Sequence, residues 1–330
     1  MQSRVREASG ALRSFSVSFQ KSSVLRAALD TGLLARLARH AGTLDELSTA
    51  LDLDPEGVGR TLDCLAAMDL VKADEDGRWY PSAGVALITD PSSPHHLGNH
   101  LLQTTQQMAN WLYLEDTLHK GPRSDRGLGS LRLRGSFVEF LIEGGRDRVS
   151  TAVDIVAKTL TPGVDRVLIP LGGSGEYVAA VRAASPHAYI DVVEHPAMVR
   201  RILPGGASGD RVEVRTLQNL PSTRDYDAIV LADITRSLSV LKLRSLLSRI
   251  GRKLREGGEI LVVDVFQESD LAAFLPWLNM SLYVNTRSGK IRSTSELGDI
   301  ANESGLAMQE PVHVKGATGI ILRKAELWAG

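Results

Sequence analysis

Residues 166–196 read RVLIPLGGSGEYVAAVRAASPHAYIDVVEHP, and the fold is decided there. Val167, Leu168, Ile169, Pro170 and Leu171 form an apolar run of the kind that makes a strand buried on both faces. Gly172, Gly173 and Gly175 follow at once. A helical pattern starts near Glu176 and runs to about Ala184, where Ser185-Pro186 ends it. A second strand is predicted over 189–193, with Glu194 at its tip. Glycines let a turn approach a ligand closely, because no side chain stands in the way. An acid at the tip of the second strand can accept hydrogen bonds from both ribose hydroxyls. Turn plus acid at this spacing inside a βαβ unit points to nucleotide binding. The competing reading is an ordinary crossover with a tight turn and a solvated Glu194.

Whole-chain numbers narrow the field. The 330 residues leave room for two domains and a substantial core. Lys plus Arg is 38, Asp plus Glu is 39, and the net charge is -1, so no electrostatic case exists for nucleic acid or an acidic membrane surface. Cys64 is the single cysteine, which excludes an internal disulfide and a thiolate metal cluster. No segment approaches the apolar length of a membrane span. Residues 1–15 lack the sustained apolar core of a signal peptide, and a cytoplasmic location is expected. No spacing resembles a metal site, and no glycine-flanked serine or paired carboxylate suggests hydrolysis.

Upstream of the glycine turn, residues 1–20 read as a loose arm or a short helix. Residues 22–40 carry Val24, Leu25, Ala28, Leu29, Leu33, Leu34 and Leu37 on one helical stripe. Thr43 caps a helix over 44–51, with Glu46 three residues on as in a capping box. Asp54-Pro55 opens another helix, which turns Val58, Leu62, Leu65, Ala66 and Met68 inward. Strands over 70–73 and 78–80 then flank an acidic turn as a β-hairpin. This order predicts a winged helix. Its candidate recognition helix offers Arg60 as its only base, with Glu56 and Asp63 beside it. A DNA reader needs clustered Lys and Arg, so the expectation is protein contact and no nucleic acid. A long helix is expected over 95–118, and helical pieces over 137–142 and 148–160. Beyond Glu194, strands are expected over 212–215, 226–232 and 259–265, and a closing strand pair over 308–313 and 319–323. Helices are expected over 238–254, 271–283 and 293–304, with a turn at Glu256-Gly257-Gly258. Together these give an α/β class: a doubly wound C-terminal domain behind a mainly α N-terminal one.

On these stretches the chain resembles the class I S-adenosylmethionine-dependent small-molecule O-methyltransferases. They are related to caffeic acid O-methyltransferase and to bacterial polyketide-tailoring enzymes. The resemblance is carried by LDELSTALDLDPEGVGRTLDCLAAMDLV, Gly173-Ser174-Gly175, VEHPAMV, KLREGGEILVVDVF and WLNMSLYVNTRSGKIRSTSELGDIANESGL, and spans nearly the whole chain. It implies a Rossmann-like cofactor domain over 161–330, a helical linker lining the substrate pocket over 95–160, and a winged-helix domain over 1–94 that pairs two subunits. The implied cofactor is S-adenosyl-L-methionine, with S-adenosyl-L-homocysteine as its product form. Gly172, Gly173 and Gly175 would lie against it, and Glu194 would hold its ribose. Leu217 and Gln218 would flank the adenine, and Asp233 the methionine end. Met108, Trp111, Phe137, Trp277, Asn279 and Met280 would line the acceptor pocket. The implied partners are a small-molecule substrate and a second copy of the chain, with no membrane and no metal.

The sequence departs from the family at three places. The acid and extra glycine that usually open the glycine turn are replaced by Ile169 and Leu171. The acid before the adenine is replaced by Leu217-Gln218. Counting back from Gly257-Gly258 puts Arg236 where the family has its catalytic histidine, and the family's acid that orients that histidine falls on Asp264. A phenol must lose its proton to attack a methyl group, and histidine takes that proton near neutral pH. Arginine stays protonated and cannot. Two readings stand for the pair. Arg236 either clamps a substrate carboxylate or enolate, or forms a salt bridge with Asp264 that fills the old site. The expected function is methyl transfer to an O, C or N acceptor on a small natural-product intermediate. The rivals are a non-methylating tailoring step (decarboxylation, hydroxylation or rearrangement) and a winged-helix regulator.

Overall fold

The computed structural model describes residues 1–122, 143, 149–170, 175–193, 211–215 and 226–325. The chain divides into two units, residues 1–109 and 110–330.

The first unit is helical. Helices α1 (Gln2–Val17), α2 (Phe19–Asp30), α3 (Leu33–Arg39), α4 (Leu44–Leu51) and α5 (Pro55–Ala67) lead to the antiparallel pair β1 (Val71–Ala73) and β2 (Trp79–Pro81). Helices α6 (Ala83–Thr89) and α7 (Gly98–Gln106) follow. Capping follows the sequence closely. Thr43 and Glu46 form the reciprocal box at the head of α4, and the Asp54 side chain accepts from the Gly57 N–H at 2.7 Å at the head of α5. Leu33, Leu34, Leu37, Leu47, Val58, Leu62, Leu65 and Val71 close one core. The expected single helix over 22–40 is two helices, because Gly32 takes φ 77 between them. The expected helix over 95–118 is three: α7, α8 (Met108–Trp111) and α9 (Leu114–Lys120). At the first break the hydroxyls of Thr104 and Thr105 donate back to the carbonyls of His100 and Leu102, at 2.8 Å each. Side chains that bond the preceding turn weaken a helix interior.

The second unit is built on one sheet of order β5-β4-β3-β6-β7-β10-β8, with β9 paired to β10. The strands are β3 (Arg166–Pro170), β4 (Tyr189–Val193), β5 (Val212–Arg215), β6 (Tyr226–Ala232), β7 (Leu254–Asp264), β8 (Leu306–Met308), β9 (Val312–Val314) and β10 (Ala317–Lys324). Strands β3 to β7 run parallel, and β10 runs antiparallel to β7. The long apolar runs follow from cover on both faces. One face packs on α10 (Val149–Thr159) and α11 (Glu176–Ala184), through Ile155, Val156, Val178 and Val181. The other packs on α12 (Val240–Gly251) and α14 (Thr294–Glu303), through Leu243, Leu247, Leu297 and Ile300. The expected turn at 256–258 is absorbed into β7 instead. The register jumps from Tyr226↔Leu254 to Ala228↔Glu259, so a bulge holds the extra residues. Gly257 takes φ 72 there, and a Cβ on Gly258 would lie 3.0 Å from the Tyr226 carbonyl. The closing strand pair is three strands, β8, β9 and β10.

Candidate functional site

Strand order reverses between β3 and β6. In an open parallel sheet such a reversal leaves a crevice outside the strand C-termini, where ligands bind. Pro170, Val193, Ala232 and Asp264 are the last residues of the strands that face it. Gly175 N-caps α11 with φ 90, a conformation that costs glycine little and other residues much. Gly172, Gly173, Glu194, Leu217, Gln218 and Phe137 lie outside the described residues.

The best-defined part of the site stands at the ends of β6 and β7. Asp233 follows β6 with φ 57, and its N–H still bonds the Val263 carbonyl at 2.9 Å. This left-handed residue turns the chain across the end of β7. A 3-10 turn, Thr235–Ser237, comes next and carries Arg236 over Asp264. Arg236 Nη1 donates to Asp233 Oδ1 at 2.7 Å and to Asp264 Oδ1. The Asp264 side chain is fully buried and its acceptor capacity is filled. Oδ1 also accepts from the Val265 N–H at 2.8 Å; Oδ2 accepts from Thr235 Oγ1 at 2.5 Å and the Arg236 N–H at 3.2 Å. The Arg236 side chain is 17% exposed.

Burial works against the charged form of Arg236. Asp264 and then Asp233 outweigh it, and the guanidinium pKa is held above the ordinary arginine value. The side chain is therefore a permanent cation, able to donate hydrogen bonds and unable to accept a proton. Its Nε and Nη2 have no partner among the described residues.

The predicted acceptor-lining residues sit on two short stretches. Trp277, Asn279 and Met280 are on α13 (Leu275–Asn285). Trp277 is 67% exposed, Met280 is half-buried, and Asn279 Oδ1 accepts from the Ile291 N–H at 2.9 Å. Trp111 is half-buried beside Asn110, whose amide donates to Asn285 Oδ1 at 2.7 Å, so α13 and the chain at Trp111 are tied together. Met108 belongs to the first unit.

Two residues of the site escape a motif search. Thr235 fills one lone pair of Asp264, and Arg292 donates to the Thr235 carbonyl. A signal for Arg292 exists in the sequence: it stands next to the Ser293 cap of α14, between apolar Ile291 and a helix start. Among the described residues no group of three or more His, Cys, Asp or Glu side chains is placed to hold a metal ion. No helix there is long and apolar enough to cross a membrane.

Known proteins resemble this arrangement. Residues 148–307 match the family model of the O-methyltransferase domain. The chain is 25% identical over 284 residues to the N,N-dimethyltransferase OxyT of Streptomyces rimosus, covering 78% of each protein. It is 23% identical over 302 residues to the demethylspheroidene O-methyltransferase of Cereibacter sphaeroides, covering 88% of this chain and 79% of that protein. Among solved structures, the human N-acetylserotonin methyltransferase in complex with S-adenosylmethionine superposes with a TM-score of 0.81 at 18% identity. That match covers 96% of this chain and 98% of the other.

Proposed function

We propose that the chain is an S-adenosylmethionine-dependent methyltransferase that acts on a small natural-product intermediate without a histidine base, a reading supported by the match of residues 148–307 to the O-methyltransferase domain and by the two methyltransferase relatives. The observation that carries this reading is the Arg236 guanidinium, bound by two carboxylates at the end of β6 and β7.

The cofactor fits the residues present. The crevice at the strand reversal, the left-handed Gly175 and the acid Asp233 at the next strand end suit a nucleoside with a charged tail. Gly172, Gly173, Gly175, Glu194, Leu217, Gln218 and Asp233 are the residues proposed to hold it. S-Adenosylmethionine, when bound, supplies an electrophilic methyl group.

The chain's own residues set what kind of acceptor reacts. Arg236 cannot remove a proton, so the acceptor atom arrives nucleophilic: an amine nitrogen, an enolate carbon or a hydroxyl already ionised. Rate then comes from orientation. Two carboxylates already balance the guanidinium, which supports a fixed ion-paired wall and weakens the idea of a free carboxylate clamp. Nε and Nη2, without a partner among the described residues, are the donors proposed to meet an acceptor oxygen. Trp277, Met280 and Trp111 offer apolar surface, with Asn279 and Phe137 completing the proposed pocket. Similarity to both an N- and an O-methyltransferase supports keeping nitrogen and oxygen among the acceptors.

Pairing of two chains through the first unit is part of the proposal. All but one residue of α1 is exposed and none is buried, yet Leu12 and Phe15 on it are 70% and 74% exposed. Apolar faces of this kind mark contact surfaces.

Calorimetry with S-adenosylhomocysteine tests the cofactor site first. Saturable binding is expected, and no heat at millimolar ligand removes methyl transfer. With S-adenosylmethionine, a panel of aryl amines, phenols and β-keto acids read by mass spectrometry then tests the acceptor. Amines and enolisable acids should gain a methyl group ahead of neutral phenols; the reverse order overturns the missing-base argument.

A further inference from the structure

We propose that Arg292 is a positioning residue that sets where the Arg236 guanidinium points. The inference rests on the reading that Arg236 edges the acceptor pocket.

Arg292 is one of the largest fully buried side chains of the protein, at 2% exposure. An arginine this deep needs partners, and these lie on one short segment. Nη1 donates to the Thr235 carbonyl, and Nη2 donates to the Leu238 carbonyl at 2.5 Å. Those two carbonyls bracket the 3-10 turn Thr235–Ser237, so a single planar fork grips the turn that carries Arg236. Among the described residues Nε has no hydrogen-bond partner, and it faces Glu296 Oε1 at 3.3 Å. Lys290 Nζ reaches the same oxygen at 2.9 Å.

The backbone around Arg292 holds the same turn. The Lys290 N–H donates to the Arg236 carbonyl at 2.9 Å. Gly289 packs so close that a Cβ there would lie 3.0 Å from the Arg236 carbonyl and would strike Thr286 Oγ1. Carbonyls 235, 236 and 238 are thus all bonded from the segment 289–292. On its other side that segment is bonded to α13: the Ile291 N–H donates to Asn279, and the Gly289 N–H donates to Thr286 Oγ1 at 2.7 Å. Arg236 is fixed from the front by Asp233 and Asp264 and from behind by Arg292 and its flanking backbone. The helix proposed to line the pocket and the guanidinium proposed to face it share one bracket.

The test needs no known acceptor. In protein labelled with nitrogen-15, the Arg236 Nε–Hε resonance is assigned by its loss in Arg236→Lys. Arg292→Lys keeps the charge but cannot span two carbonyls, and Gly289→Ala pushes on the turn while leaving Arg292 in place. Both are expected to shift or broaden the Arg236 resonance. S-Adenosylhomocysteine should still bind in both variants, since neither substituted residue is among those proposed to hold the cofactor; Asp233, bonded to Arg236, is the one link between the two. A purely structural arginine predicts loss of melting temperature with an unmoved Arg236 resonance, and that result in either variant overturns the proposal. If Arg236→Lys leaves methyl transfer to the acceptor panel unchanged, the pocket reading falls on its own, while the resonance still decides whether Arg292 positions Arg236.

Discussion

Arg236 stands where the resemblance places a histidine, and its surroundings are those of an ion-paired guanidinium. A histidine at the end of this turn would need one acid to orient it. Arg236 has two, Asp233 and Asp264, through a single nitrogen. Its pKa is raised, so the sign is simple: the group is charged throughout the range in which the protein is folded. We predict that Arg236→His restores a base beside Asp264. Neutral phenols should then gain methylation by on the order of 10²-fold, with a rising limb near pH ~6.5 that the parent enzyme lacks. A variant with the parent's phenol rate and a pH profile without that limb would show that residue 236 is not next to the acceptor. A salt bridge between Arg236 and Asp264 was one of two readings that the sequence left open, and the structure has that pair. The place of Arg292 beside the Ser293 cap hints at burial, but its partners were not legible, since the carbonyls it binds lie 57 and 54 residues away and carbonyls leave no mark in a sequence.

Elements with a local cause were the most legible. The helix Leu44–Leu51 begins and ends where its cap and apolar spacing place it, and so do Glu176–Ala184 and the strand Tyr226–Ala232. Helix α6 has no cap bond and leaves little mark in the sequence, and the break in the stretch 95–118 is hidden because threonine back-bonding leaves the apolar spacing intact. The capping box at α4 yields a prediction with a sign. Glu46 accepts from the Thr43 N–H at 3.1 Å and from Arg78 Nη2 at 2.8 Å. The Thr43 hydrogen bond and then Arg78 hold its carboxyl below the usual 4.5. A depressed pKa means stability that is present above the unfolded value and lost as pH falls through the folded one. Glu46→Gln keeps an acceptor for Thr43 but loses the charge. Its melting temperature should fall below the parent's at pH 7, and the gap should close in acid, below the folded pKa. An equal gap at both ends would assign the effect to packing.

At the scale of the whole chain, the structure is two units with separate cores. The doubly wound sheet supplies the crevice, which the apolar strand and glycine turn announced in the sequence. The helical unit has balanced charge around its fifth helix, where the single base Arg60 is paired to Glu56 one turn away. That helix therefore has no cluster of free cations with which to hold a phosphate backbone. The unit's first helix instead presents Val5, Leu12 and Phe15, and Phe19 continues the row, with every one of the four more than half exposed. The steps between the last three are three and four residues, the spacing of a seam that packs against another helix. A second copy of the same helix supplies a matching seam, and a two-fold pair would bury each row against the other. We predict that the parent chain sediments as a dimer at micromolar concentration. Leu12→Glu with Phe15→Glu places two like charges per chain at the seam and should shift it to monomer. Both substitutions fall on residues outside the Leu33–Val71 core, so the far-UV circular dichroism should not change. S-Adenosylhomocysteine affinity should also be kept, since Gly175 and Asp233 lie in the other unit. A variant that remains dimeric with its fold intact would move the interface away from this helix, and a parent that is monomeric at high micromolar concentration would remove it altogether.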